Sequence, residues 1–227
     1  MTTSPQVRIP EASFRKTFAT LRSFTKPRPA DVRRCELCGL QLPSEHDHLL
    51  DPKNRHLLCS CTACALLFSG AAEMKYRRVP RDIHQLRDFQ IPDADWDGLM
   101  IPINLAFFFF DSSAAKTMVL YPSPAGPVES LLNFEKWQEL IRNCKPLNSL
   151  QPDVEALLVN RMGIRAGFLV DEYFITPIDE CYKLAGILRL HWRGLSGGTN
   201  VWNRVREFFD SLGQRATPDR RPGHVGS

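Results

Sequence analysis

No apolar stretch in these 227 residues is long enough to cross a bilayer. The longest, residues 99–110, falls short of the roughly 20 residues a spanning helix needs and is broken by Pro102 and Asn104. A polytopic membrane protein is therefore excluded. The N-terminus carries neither the apolar core of a secretory signal nor an Arg-Arg pair ahead of one, so the expectation is a soluble, cytoplasmic protein. Also missing are a G-x-S-x-G elbow, a P-loop, a dinucleotide glycine fingerprint and an H-E-x-x-H helix. The apolar share (43%) is too high for a disordered chain, and neither it nor the charged share (24%) suits a collagen-like repeat. The length suits one medium domain plus a small module.

What is present is unevenly placed. Residues 1–34 hold 8 basic and 2 acidic side chains, and residues 35–84 hold 6 of each. Residues 85–214 hold 12 basic and 16 acidic. A basic arm thus precedes a neutral module and an acidic body, an asymmetry that suits an acidic partner, a membrane surface or nucleic acid, or else a plain solubilising tail. In the arm, Phe14, Phe18, Leu21 and Phe24 fall on one helical face, which predicts a short amphipathic helix within residues 1–30. Packing of that helix on the protein's own body is preferred over docking on a partner or a membrane. Lys26-Pro27-Arg28-Pro29 is a stiff linker. The remaining divisions are a cysteine-bearing module over 31–75, an α+β domain over 76–213 and a disordered tail over 214–227.

The body uses one pattern twice. Residues 101–110 and 116–121 form two strands around the polar turn Asp111-Ser112-Ser113, followed by a helix over 130–144 with Phe134, Trp137, Leu140, Ile141 and Cys144 on one stripe. Residues 154–159 and 172–175 form a second strand pair. Thr176 then serves as N-cap and Pro177 as the first helical residue, with Asp179 in the first turn, of a helix running to about residue 193. A last helix covers 200–212 and stops at Gly213. Two hairpin-plus-helix units predict an antiparallel sheet with helices packed on one face, an α+β fold.

The strongest chemical signal is Cys35-Glu36-Leu37-Cys38-Gly39 followed by Cys61-Thr62-Ala63-Cys64, two C-x2-C pairs with 22 residues between them. Two residues between thiols let a tight turn aim both sulfurs at one ion, and Gly39 lets the backbone fold back under them. Four thiolates make a closed structural Zn2+ site, the pattern of a zinc ribbon. Four thiolates also hold a single iron in rubredoxin-type sites. Those sites carry Pro and Gly beside both pairs, whereas Ala65 follows the second pair here, which favours zinc. Disulfides are the competing explanation, and nothing in the chain argues for secretion.

Cys59 is a surplus thiol on the strand expected over 57–61, sharing a face with Cys61. With His46 and His48 it is a candidate for a second metal site or a ligand-exchange position. A buried free thiol beside solvated loop histidines is the plainer reading and the preferred one. Cys144 and Cys181 sit at core-facing helix positions. Ser196-Gly197-Gly198, Asp179 and Glu180 assemble no nucleophile, base and oxyanion donors together, so a non-catalytic protein is expected. The acidic body, with no aromatic-basic stacking platform, disfavours nucleic acid as a partner.

Further motifs follow in order: residues 45–51 (Glu45-His46-Asp47-His48-Leu49-Leu50-Asp51), 57–68, 152–161, Pro177-Ile178-Asp179-Glu180-Cys181-Tyr182, and His191-Trp192-Arg193-Gly194-Leu195-Ser196-Gly197-Gly198. With the first cysteine knuckle, and over about residues 33–212, they resemble an uncharacterised bacterial family encoded beside actinobacterial-type NiFe-hydrogenase genes. The resemblance implies, by association alone, an accessory or assembly role with a hydrogenase subunit or maturation factor as partner. The competing expectations are a rubredoxin-like electron carrier and a nucleic-acid-binding zinc ribbon.

Overall fold

Residues 33–69, 74–142, 145–165 and 168–218 are described by the computed structural model, and they form two sheets. The basic arm with its amphipathic helix lies outside the described residues, as do Cys144 and residues 219–227. The small sheet has strands β1 (Asp47–Asp51), β2 (His56–Ser60) and β3 (Arg77–Arg78), all antiparallel in the order β2-β1-β3. In the turn between β1 and β2, Asn54 Oδ1 accepts the His56 N–H at 3.0 Å, and Arg55 takes a left-handed φ of 55°. The register sets Leu49 against Leu58 and His48 against Cys59. A seven-residue helix, α1 (Thr62–Phe68), follows β2 directly.

The large sheet contains β4 (His84–Gln85), β5 (Leu105–Asp111), β6 (Lys116–Ser123), β7 (Gly126–Glu129), β8 (Glu155–Arg165), β9 (Phe168–Pro177) and β10 (Thr217–Pro218). Their spatial order is β10-β4-β9-β8-β5-β6-β7. Every pairing is antiparallel except the short β10–β4 contact. Its helices are α2 (Asp93–Gly98), α3 (Phe134–Arg142), α4 (Lys145–Asn148), α5 (Ile178–His191) and α6 (Gly198–Arg215).

The α+β class and the antiparallel sheet agree with the sequence reading, but the covering of the sheet differs. Helices lie on both faces, not one. Phe107, Phe109, Leu158 and Phe174 pack under α5 and α6, against Leu184, Val205 and Phe209. On the other face Ala106, Phe108, Leu157 and Ile175 pack against Trp96 of α2, Trp137 of α3 and Leu147 of α4. The cause is legible in β5 itself, which is apolar at every position from 105 to 110 and so has no face to give to water. Phe108 stacks flat on Trp137 with ring centroids 4.5 Å apart.

The boundaries also shift. The helix expected over 130–144 begins at Phe134, which is exposed rather than part of the buried stripe. Pro177, not Thr176, occupies the N-cap of α5, because β9 runs on through Thr176 to Pro177 and hands over to the helix directly. The tail does not start at 214. Helix α6 continues through Gly213 to Arg215, and Thr217 pairs with His84, so the chain is held to residue 218. The module boundary at 75 likewise moves outward, since β3 belongs to the small sheet. Leu50 and Val79 sit in the core under α5 and α6, and Leu57 packs on it. The ribbon is thus an extension of the body's core.

Candidate metal centre

The first knuckle is built by backbone geometry. The Gly39 N–H donates to the Cys35 carbonyl at 2.8 Å, and the Cys35 N–H donates to the Leu40 carbonyl at 2.7 Å. Gly39 closes this turn at φ +77°, a conformation that costs any other L-residue strain. The second knuckle is the start of α1. Cys61 is its N-cap, and its sulfur accepts the Cys64 N–H at 3.5 Å. A serine-like capping role for a thiol fixes Cys61 and Cys64 on one side of the helix entrance.

These two turns bring Cys35, Cys38, Cys61 and Cys64 together, with all four sulfurs within 4.8 Å of one another. They are not bridged as disulfides, and Cys38 Sγ lies 3.8 Å from Cys61 Sγ. That spacing matches the edge of about 3.8 Å that a sulfur tetrahedron has around Zn2+ at ~2.3 Å. Cys35, Cys61 and Cys64 are buried beside Leu42, while Cys38 reaches solvent. Burial opposes ionisation of Cys35, but the backbone N–H groups of Cys61, Cys38 and Leu37 outweigh it and bring its pKa down to about 6. Cys64 is pushed up to about 12, first by burial and then by the neighbouring thiols of Cys61, Cys38 and Cys35. A cluster that ionises one thiol at the expense of the next is a cluster that a cation would complete.

Cys59 is not a fifth member of this group. It lies within β2 and packs beside the four cysteines, but its ligand-capable neighbours are His46 and His48. A donor atom from each of the three lies within 4.8 Å of the other two. Burial raises the Cys59 thiol's pKa, and the Glu36 carboxylate adds to the effect. Glu36 also ties the knuckle to β2, since its N–H donates to the Cys59 carbonyl at 2.9 Å and its Oε1 accepts the Cys59 N–H at 2.7 Å.

Sequence reasoning missed three residues at this site. Asp47, almost fully buried, accepts from Arg78 at 2.8 Å and from Thr62 Oγ1 at 2.9 Å, and Arg81 stands 3.4 Å away. Burial works against its charge, yet these partners hold its pKa below the ordinary value. Asp179, expected only as a first-turn acid, faces His48 Nδ1 at 2.7 Å across 131 positions of sequence. Glu36 stood inside the first C-x2-C pair, and no local pattern marked its two bonds to Cys59 in β2. Cys181, on the core-facing side of α5, is wholly buried and its thiol's pKa is pushed up by that burial, consistent with packing. The Ser196-Gly197-Gly198 segment is the turn into α6, closed by an Arg193–Gly197 bridge.

The fold and the site together define an α+β protein carrying a ribbon-like module with a four-cysteine cluster suited to a metal ion. The chain belongs to a family of unknown function, DUF5947, whose sequence profile matches residues 34–216. No curated protein and no solved structure matches it. No helix among the described residues is long and apolar enough to cross a membrane.

Proposed function

We propose that the protein is a non-catalytic accessory factor whose ribbon, closed by Zn2+ on Cys35, Cys38, Cys61 and Cys64, is a recognition element for a protein partner. The observation that carries this reading is the helix that starts at Cys61. Leu66 and Leu67 stand 60% and 66% exposed on α1, with Phe68 also exposed, next to the four-sulfur cluster. Large apolar side chains presented on a module fixed by a metal suit docking on another protein. The genomic setting associated with the resembled family supports a NiFe-hydrogenase subunit or maturation factor as that partner.

Three measurements test the proposal. Metal analysis of the purified chain is expected to find zinc, lost in Cys38→Ser. A red, iron-loaded protein without zinc makes it a rubredoxin-like electron carrier instead. A tagged chain is expected to co-purify with hydrogenase subunits or a maturation factor, and to stop doing so in Leu66→Asp with its zinc retained. Normal hydrogenase maturation in a strain lacking the gene overturns the accessory role.

A further inference from the structure

Beside the four-sulfur cluster runs a groove of about 720 Å³ between the ribbon and α5, lined by His46, His48, Cys59, Arg81, Asp179 and Lys183 among others. His46 Nδ1 lies 2.9 Å from the Pro43 carbonyl oxygen, which can only accept. The ring proton therefore belongs on Nδ1 and the lone pair on Nε2, and that Nε2 is buried with no partner among the described residues. His48 is set the same way, with Nδ1 2.7 Å from Asp179 Oδ2. A carboxylate in that position fixes the ring and makes the opposite nitrogen a better donor. The antiparallel register places Cys59 directly opposite His48, and the two imidazoles meet edge-on with centroids 4.9 Å apart.

We propose that His46, His48 and Cys59 form a second metal site, open on one side, for a borderline divalent transition-metal ion such as Zn2+ or Ni2+. Two imidazoles and a thiolate are the donor set such ions prefer. Three protein ligands leave at least one coordination position to be filled from the groove, by water or by an oxygen donor of an incoming molecule. The four-sulfur cluster is closed and structural; this one holds an exchangeable ion. The same residues also resemble a nucleophilic cysteine with a His48–Asp179 relay. That reading leaves no role for the unpartnered Nε2 of His46, and the Cys59 N–H is already given to Glu36.

The test uses the full chain with zinc retained in the four-cysteine cluster after treatment with a moderate chelator, and follows a Co2+ titration by absorption spectroscopy. A further equivalent of Co2+ is expected, with a weak sulfur-to-cobalt band from one thiolate. Cys59→Ser is expected to abolish that band. His46→Gln and His48→Gln are expected to weaken Co2+ binding at least tenfold. Asp179→Asn is expected to weaken it about 10–100-fold while leaving the band in place. Retained zinc and an unchanged circular dichroism spectrum show that each variant is folded. Wild-type protein that takes up no further Co2+, or an affinity unchanged across the Cys59, His46 and His48 variants, overturns the proposal. Loss of the retained zinc would instead count against the four-cysteine reading, so the two failures are distinguishable.

Discussion

In the large sheet, the fully buried side chains include Phe107 and Phe108, adjacent residues pointing to opposite faces, each met by its own helices. In the small sheet, Asp47, Asp51 and Ser60 are buried alongside Leu49 and Leu50, and the local apolar cluster is small: Cys35, Leu42, Cys61 and Cys64, with Leu37 and Cys59 packed against it. The body is held by removing hydrocarbon from water on both sides of a sheet. The ribbon has too little hydrocarbon for that. It relies on ion pairs, on a border shared with the body's core, and on whatever joins its four sulfurs. Arg55 to Asp111 and Arg77 to Asp153, each at 3.0 Å, sew the two regions together. One region should therefore respond to cavities and the other to charge and metal.

Metal removal should expose the contrast most strongly. Ligation by four thiolates contributes on the order of 10 kcal/mol to small zinc modules. Stripping the ion is expected to release the amides of Cys35, Gly39 and Cys64 to rapid hydrogen exchange while those of β5, β8 and β9 keep their protection. Equal loss in both regions would erase the distinction. The converse is Phe108→Ala, expected to destabilise the body by about 3–5 kcal/mol through the cavity left against Trp137. Denaturant unfolding measures this, and metal content should not change.

A smaller effect is expected at Asp47. Replacing it with Asn leaves Arg78 and Thr62 with a weaker acceptor, at a cost of about 1–3 kcal/mol near neutral pH. Because its pKa is held below the ordinary 3.8, its stabilisation is fully present above that value and is lost as pH falls through the lowered one. The difference in melting temperature between wild type and D47N should therefore close on acidification. A difference independent of pH would mean that packing, not charge, is at stake. Smallest is Gly39→Ala, whose left-handed φ predicts a loss of about 1–2 kcal/mol, detectable as weaker metal retention against a chelator rather than as a change in the body.

Much of this comparison was legible in the sequence, and the illegible parts have physical reasons. The C-x2-C pairs announced the cluster because ligand spacing is local, and the apolar run of β5 announced a central strand. That the run is apolar at consecutive positions is also the mark of a strand covered on both faces. Short strands such as β3, β4 and β10 have two residues each and no periodicity to detect. The partnership of His48 with Asp179 joins residues whose proximity is set by packing of α5 on the ribbon, which no local pattern encodes. His46, His48 and Cys59 were recognisable as a set of residue types. Their convergence required the β1–β2 register.

Among the described residues, the large sheet ends on both sides in strands that offer little to a neighbouring molecule. On one side stand two residues ending in Pro218, on the other Gly126 to Glu129 with Pro127 and a carboxylate. Between them, inside the sheet, lies Leu-Ala-Phe-Phe-Phe-Phe, a segment with the composition that favours fibril formation when unprotected. Such blunt borders deny an eighth strand a template. While it stays folded, the chain keeps all of this adhesive segment except Phe110 out of reach of neighbouring molecules.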